Sequence, residues 1–298
     1  PRTEDDGGPE PKARCRHEPR RDGRQRGVPH VKLVFTENIH SLMLPKGHKF
    51  PLGKYDRIHA ALSRELPGSM LLGAPASVTD LELVHSPDYI RRVREGALTE
   101  PEVRRLGFPW SESLALRATR SVGGTLAALA WAASAGAAGH IAGGTHHAFR
   151  DRGEGFCVWN DLAVAARVAQ RDHGLARVAV VDLDVHQGNG TASLFEGDPS
   201  VFTLSLHGAR NYPFQKEKST YDEGLPDGCE DAEYLGALDR GLERVRAFRP
   251  SVVLYQAGVD GLVGDRLGRM RLTEAGLEAR DARVFALARR LGVPFVAT

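Results

Sequence analysis

Three residues with useful chemistry stand at two-residue spacing in the stretch VAVVDLDVHQGNGT: Asp182, Asp184 and His186. They follow small and β-branched apolar residues and precede a glycine-rich loop. Such a run, bounded by turn residues, predicts a strand buried on both faces of a parallel sheet. Because side chains alternate along a strand, the three groups point the same way if the chain stays extended. Two carboxylates and an imidazole at a strand end suit a divalent metal ion, although an isolated pattern of this kind more often caps a helix or orders a loop.

Three other apolar runs also end in polar residues next to glycines. HIAGGTHHAF ends near His146 and His147, VFTLSLH ends at His207, and SVVLYQAGVD ends at Asp260. The carboxyl ends of parallel strands share one edge of a sheet, where such folds bind their ligands, so we expect these clusters to meet. Each also has a structural interpretation: paired histidines can order loops, His207 is expected to be structural, and Asp260 could cap a helix. The coincidence of four runs favours a functional site.

Asp184, His186 and Asp260 form the predicted metal-ligand set. A catalytic metal site uses few protein ligands and keeps a position open for water. Bound Zn²⁺ lowers the pKa of water from about 15.7 to roughly 7, which makes hydroxide available at neutral pH. A site of mixed nitrogen and oxygen ligands also suits Fe²⁺, so the residues alone leave the identity of the metal open.

The adjacent histidines His146 and His147 are the predicted general base and general acid. Each would need a partner that tunes its ring, and Asp182 and Asn189 are the candidates. The sequence therefore predicts hydrolysis that is assisted by a metal ion and two histidines.

Strands alternate with helices along the chain, which predicts one α/β domain with a mainly parallel sheet. Ser86-Pro87 and Gly96 are expected to begin and end one helix, and Asn160 or Asp161 and Gly174 another. A long alanine-rich segment, residues 111–136, predicts one or two packed helices around its glycine pair.

The composition excludes several classes of protein. The chain has 298 residues, of which 41% are hydrophobic and 26% charged, and a net charge of +2. These values are ordinary for a globular protein and give no reason to expect a nucleic-acid partner.

Three widely spaced cysteines favour a reducing cytoplasm, and no segment is apolar enough for a membrane span. We expect residues 1–27 to be disordered because they are almost free of apolar side chains, and residues 28–298 to form the catalytic domain.

From about residue 30 onward, four motifs resemble the zinc-dependent histone deacetylase family, which includes acetylpolyamine amidohydrolases and acetoin-utilisation proteins. The motifs are GGTHHA, GFCVWND, DLDVHQGNGT and QAGVDGLVGDRLG. The HQGNG and GDRLG forms look most like the class IV branch and its bacterial relatives. The resemblance implies an arginase/deacetylase-like three-layer α/β fold with a central, mainly parallel sheet of eight strands.

The resemblance also implies roles for individual residues. By motif position, the predicted ligands match the family's metal ligands, and His146 and His147 match its paired catalytic histidines. Asp182 matches the partner of the first histidine, and Asn189 stands where some branches have aspartate, a change that removes a charge beside His147. The remaining implied positions are the channel residues Gly155 and Phe156, the opposite wall Tyr212, and a structural K⁺ site formed by Asp182, Asp184, His186, Ser205 and Leu206.

One family feature has no counterpart, because a Gly-Gly-Tyr loop should follow the last strand and the sequence ends at Thr298. The resemblance therefore implies either a C-terminal truncation or the loss of a tyrosine that donates to the substrate carbonyl. The main hypothesis is a metal-dependent amidohydrolase acting on acyl-lysine or an acylated polyamine. His146 is the first candidate for the base and His147 for protonating the leaving amine, and the reverse order is left open. The alternatives are a catalytically weak or inactive acyl-group-binding protein and a two-metal, arginase-like ureohydrolase. Oligomeric state is left open.

Overall fold

Eight parallel strands form a single sheet in the order β2-β1-β3-β8-β7-β4-β5-β6, with helices packed on both faces. The structure, a computed structural model, describes residues 31–36 and 42–298, so the predicted disordered segment 1–27 lies outside the described residues. The strands are β1 (Lys32–Phe35), β2 (Met70–Leu72), β3 (Ala137–His140), β4 (Val178–Asp182), β5 (Val201–Gly208), β6 (Tyr221–Leu225), β7 (Val252–Gln256) and β8 (Phe295–Ala297). This confirms the expected α/β class and the eight-stranded sheet.

The strands at the centre of the sheet are buried on both faces, and their apolar residues divide between two cores. Along β4, Val178 and Val180 pack into one core, whereas Ala179 and Val181 pack into the other. This follows from the alternation of side chains in a strand. The helices of the two outer layers are α1 (Lys54–Glu65), α2 (Val78–Glu82), α3 (Pro87–Glu95), α4 (Glu100–Leu106), α5 (Glu112–Ala135), α6 (Asp161–His173), α7 (Asn189–Leu194), α8 (Asp231–Phe248) and α9 (Glu274–Leu291).

The predicted helix boundaries that rest on caps are confirmed. Ser86 accepts a hydrogen bond from the Tyr89 amide at the start of α3, and Gly96 ends that helix in the left-handed conformation. Asn160 caps α6 in the same manner, and Gly174 ends it. Both pairs satisfy backbone groups that a helix terminus leaves without partners.

The alanine-rich segment forms one continuous helix, α5, which settles the choice between one helix and two. Its glycine pair is a contact surface and not a break. A Cβ at Gly123 would collide with the Ala74 carbonyl, and a Cβ at Gly124 would collide with the His140 ring. Among the described residues, none of the helices combines the length and apolarity that a membrane crossing needs.

Candidate active site

The predicted metal ligands meet beyond the carboxyl ends of β4 and β7, which are neighbours in the sheet. Asp184, His186 and Asp260 each offer one ligand atom, and these atoms lie within 4.8 Å of one another. His186 Nδ1 is 2.9 Å from Asp184 Oδ1 and 2.9 Å from Asp260 Oδ2. The Val185 amide donates to Asp260 Oδ1 at 2.9 Å and ties the two loops together. The sequence predicted that these three side chains meet at one edge of the sheet, and in the structure they form one cluster.

The charges of this cluster suit a cation. Burial opposes protonation of His186, but its hydrogen bonds to Asp184 and Asp260 outweigh burial and raise its pKa to about 10. Burial and the charge of Asp184 raise the pKa of Asp260 to about 6. The protein alone thus places a positive imidazolium between two carboxylates. A divalent ion would satisfy the same two carboxylates and take a lone pair from the imidazole, so the donor set fits a metal ion.

Two residues that the sequence interpretation missed hold the loops that carry the predicted ligands. Gln256, the last residue of β7, donates to Asp184 Oδ2 and to the Gly144 carbonyl, both at 3.1 Å. Arg280 on α9 is fully buried and donates to the carbonyls of Leu183 and Gly258. Its only sequence signal is its spacing, since it lies three residues after one core leucine of α9 and four before a core valine.

The paired histidines face different partners. His146 Nδ1 donates to Asp182 Oδ2 at 2.6 Å, and His147 Nδ1 lies 2.7 Å from Asn189 Oδ1. Their ring centroids are 4.0 Å apart. β4 ends at Asp182, so the extended alternation does not continue to His186. Asp182 therefore bonds to His146, whereas Asp184 lies in the cluster with His186 and Asp260.

The partners give the two histidines opposite electrostatic character. Burial alone would lower the pKa of His146, but the carboxylates of Asp182 and Asp184 raise it to about 9. Burial and the positive charge of His146 hold the pKa of His147 well below its usual range. The site thus pairs a cationic imidazole with a neutral one.

A carboxylate that the sequence interpretation missed lies behind the second pair. Asn189 Nδ2 donates to Glu154 Oε1 at 2.6 Å, and the hydroxyl of Tyr212 donates to the same oxygen at 3.0 Å. Glu154 is buried. Its sequence signal is its position directly before the glycine of the GFC motif, at which the chain turns toward the site.

Two of the predicted channel residues, Gly155 and Tyr212, lie beside His147, and Phe156 follows Gly155 in the same turn. Gly155 has φ +57°, and a Cβ there would come within 2.6 Å of the His147 ring, so only glycine fits. Phe156 adopts φ +67°, a strained value for a residue with a side chain, and such strain persists where the surroundings enforce it. Its ring packs against Phe108 at 5.2 Å between centroids. Tyr212 meets the His147 ring edge-on at 5.1 Å.

His207 lies apart from the metal cluster and bonds to Ser205, with 3.1 Å between His207 Nδ1 and Ser205 Oγ. This agrees with the structural role expected for it. Ser205 pairs in register with Asp182 across β4 and β5. The K⁺ site inferred from Asp182, Asp184, His186, Ser205 and Leu206 stays a prediction.

Sequence comparisons show which family of proteins this chain is similar to. The histone deacetylase domain profile matches residues 48–298. An uncharacterized protein of Picosynechococcus sp. strain PCC 7002 is 43% identical over 256 residues, which are 84% of this chain and 85% of that protein. Histone deacetylase 2 of Arabidopsis thaliana is 35% identical over 281 residues, 89% of this chain and 73% of that protein.

A solved structure agrees with the sequence matches. The crystal structure of a histone deacetylase homologue from Aquifex aeolicus superposes with a TM-score of 0.78 and 28% sequence identity. The match covers 90% of this chain and 78% of that one. The fold of this chain is thus that of a histone deacetylase homologue.

Proposed function

Because this chain belongs to the histone deacetylase family, and is therefore a deacetylase, we propose that it hydrolyses the amide of acyl-lysine or a related acylated amine. One observation carries the proposal: a candidate cation site of three residues lies beside two buried histidines, one bonded to a carboxylate and the other to an amide. The name of the Arabidopsis relative, a histone deacetylase, supports an acylated protein substrate, and the name of a human relative, a polyamine deacetylase, supports an acylated polyamine. Zn²⁺ is the ion implied by the family, and Fe²⁺ suits the same ligands.

Asp184, His186 and Asp260 would hold the ion. When bound, the ion supplies Lewis-acid chemistry, which polarises the acyl carbonyl and makes water more acidic. The Val185 amide, Gln256 and the Arg280 guanidinium keep the ligand loops in place. The remaining steps depend on proton transfers by this chain's own residues.

The hydrogen-bond partners favour His147 as the general base, the reverse of the order expected from sequence. Asn189 is neutral, so it orients the His147 ring and stabilises a positive charge there less than a carboxylate would. A neutral imidazole can accept a proton from the attacking water. The same nitrogen can then protonate the leaving amine. Asp182 stabilises a positive charge on His146, which suits that histidine to offset the negative charge that develops on the carbonyl oxygen.

The channel residues suit a slender substrate stem. Gly155 leaves space beside His147, and Phe156 and Tyr212 offer aromatic surface on which the methylene groups of an acylated lysine or polyamine can pack. Such contacts would exclude water from the reacting amide.

Acetate release from an acetyl-lysine peptide tests the proposal. We expect the zinc-loaded protein to release acetate and the free amine, and Asp260→Asn to lower the rate by about 10²-fold or more, since it weakens ion binding. Asp239→Asn, which removes a surface partner of Arg283, is the matched control. No release above the metal-free background, from folded and loaded protein, would refute the proposal.

The structure gives less support to the two alternatives. A two-ion ureohydrolase needs further bridging carboxylates, and one group of three ligands converges within residues 31–36 and 42–298. An inactive acyl binder would be free to lose a ligand or a histidine partner, yet this chain keeps all three ligands and both paired histidines.

A further inference from the structure

Glu154 is a buried acid with no part in the proton transfers proposed above. One of its oxygens, Oε1, accepts two hydrogen bonds, from Asn189 Nδ2 at 2.6 Å and from the Tyr212 hydroxyl at 3.0 Å. Its other oxygen, Oε2, lies 3.8 Å from Arg152 Nε. Glu154 therefore stands directly behind the partner of His147, and it also contacts the aromatic wall beside that ring.

The carboxylate determines which way the Asn189 amide faces. A carboxylate accepts hydrogen bonds and cannot donate them, so the Asn189 nitrogen must point to Glu154. The Asn189 oxygen is then left to face His147, where it requires a hydrogen on Nδ1. In the opposite orientation the amide oxygen would meet the carboxylate, which is repulsive. The lone pair of neutral His147 is consequently placed on Nε2.

We propose that Glu154 is a positioning residue, whose carboxylate locks Asn189 and thereby fixes the His147 tautomer with its hydrogen on Nδ1. This inference rests on the proposed function for its catalytic consequence, because a base needs its lone pair on the ring nitrogen that is not occupied by Asn189. It also explains how a neutral partner suffices. An aspartate can only accept, whereas an amide accepts or donates according to its orientation, and Glu154 removes that choice.

The local backbone directs Glu154 into this position. The Cys157 amide donates to the Glu154 carbonyl and closes a tight turn. Within that turn Gly155 and Phe156 both have positive φ, and their amides donate to the carbonyls of Arg105 and Leu106. The left-handed conformation is costly for Phe156, which carries a side chain, and the surrounding contacts enforce it. The turn that forms the channel wall thus also holds the carboxylate.

The first test reads the tautomer directly in metal-free protein. Nitrogen NMR of ¹⁵N-histidine-labelled protein, with His147 assigned by its loss in His147→Gln, separates the two ring tautomers. We expect the Nδ1–H form in the parent. Glu154→Gln should populate the Nε2–H form, because a glutamine amide can pair with Asn189 in either orientation. An Nε2–H parent, or an unchanged tautomer in Glu154→Gln, would overturn the proposal.

The second test exchanges the two groups across the hydrogen bond. Asn189→Asp alone places two carboxylates at a contact of 2.6 Å, so we expect a lower Tm and about 100-fold less activity. Glu154→Gln alone should lower activity by about tenfold. The double variant Glu154→Gln/Asn189→Asp restores a donor facing an acceptor and should recover the Tm of the parent, while its activity should stay below that of the parent because a carboxylate beside His147 raises the pKa of the proposed base.

A matched carboxylate serves as the control. Glu223 on β6 also accepts a tyrosine hydroxyl, that of Tyr221 at 2.6 Å, and pairs with Arg240. Glu223→Gln should alter neither the His147 tautomer nor the activity. If Asn189→Asp does not fold, recovery of folded protein in the double variant is the expected result. Additive effects without recovery would show that Glu154 merely packs.

The tautomer and Tm measurements separate this inference from the proposed function. They need neither metal nor substrate. A protein that shows the locked tautomer and the recovery in Tm but releases no acetate would contradict the proposed function and leave the role of Glu154 intact.

Discussion

His146 and His147 are adjacent, equally buried and bonded through the same ring nitrogen, yet their pKa values move in opposite directions. The chemical difference lies one atom away, where His146 meets the carboxylate of Asp182 and His147 meets the amide of Asn189. Burial lowers the pKa of both rings, and the comparison shows that the charge of the partner decides whether that effect is reversed.

A third histidine shows the effect of burial without a carboxylate partner. His85 Nδ1 donates to the Phe149 carbonyl, and His85 Nε2 accepts from the Asn160 amide. Burial lowers the pKa of His85 to about 4, a shift that its backbone hydrogen bonds do not reverse. His85 thus behaves as His147 does, and His146 is the exception that Asp182 creates.

Replacing each of the paired histidines in turn has the largest expected effect. His147→Ala removes the proposed base, so we expect kcat to fall by about 10³–10⁴-fold; His146→Ala removes a stabilising charge and should lower kcat by about 10²–10³-fold. Single-turnover rates with acetyl-lysine peptide measure the difference. The opposite ranking would return the base role to His146, and full activity in both variants would end the assignment.

Asp182→Asn gives both histidines an amide partner and so removes the contrast between them. The hydrogen bond can remain while its charge is lost, so we expect kcat to fall by about tenfold to a hundredfold. Circular dichroism checks the fold, and the surface change Asp239→Asn is the control. An unchanged kcat would show that the charge on His146 does not matter.

The smallest expected effect is on the pH dependence of stability. It tests the comparison at His85, a buried histidine without a carboxylate partner. Its folded pKa of about 4 lies below the ordinary histidine value of 6.5, so the unfolded chain takes up a proton first as the pH falls. The contribution of His85 is complete above pH 6.5 and is lost between pH 6.5 and 4, by up to about 1.4 kcal/mol per pH unit.

The variant His85→Gln keeps polar atoms in that place and does not titrate. We therefore expect its free energy of unfolding to depend less steeply on pH between 6.5 and 4, by about one proton, in urea titrations at several pH values. An unchanged slope would mean that His85 already carries its proton in the folded protein.

The sequence predicted the elements whose signals are local. Buried strands, caps such as Ser86 and Asn160, and the polar residues at strand ends follow from spacing and residue type. The meeting of Asp184 with Asp260 followed from a general property of parallel sheets. These predictions needed no knowledge of long-range contacts.

Other features depend on contacts between distant segments, and the sequence did not reveal them. Arg280 lies 97 residues beyond Leu183, whose carbonyl it binds, and nothing near either residue indicates the pairing. In the sequence, Glu154 does not differ from any other acidic loop residue, and its contact with Asn189 is visible only in the fold. The choice of base between His146 and His147 stays a proposal, because it depends on the orientation of one amide group, which the sequence does not determine.

Metal content per chain is the most direct test of the central claim that Asp184, His186 and Asp260 form one cation site. Elemental analysis of zinc-loaded, desalted protein should find about one divalent ion per parent chain and far less in Asp184→Ala. Both proteins must be folded, as judged by a cooperative thermal transition. A folded parent without bound metal, or equal metal in the two proteins, would contradict the account.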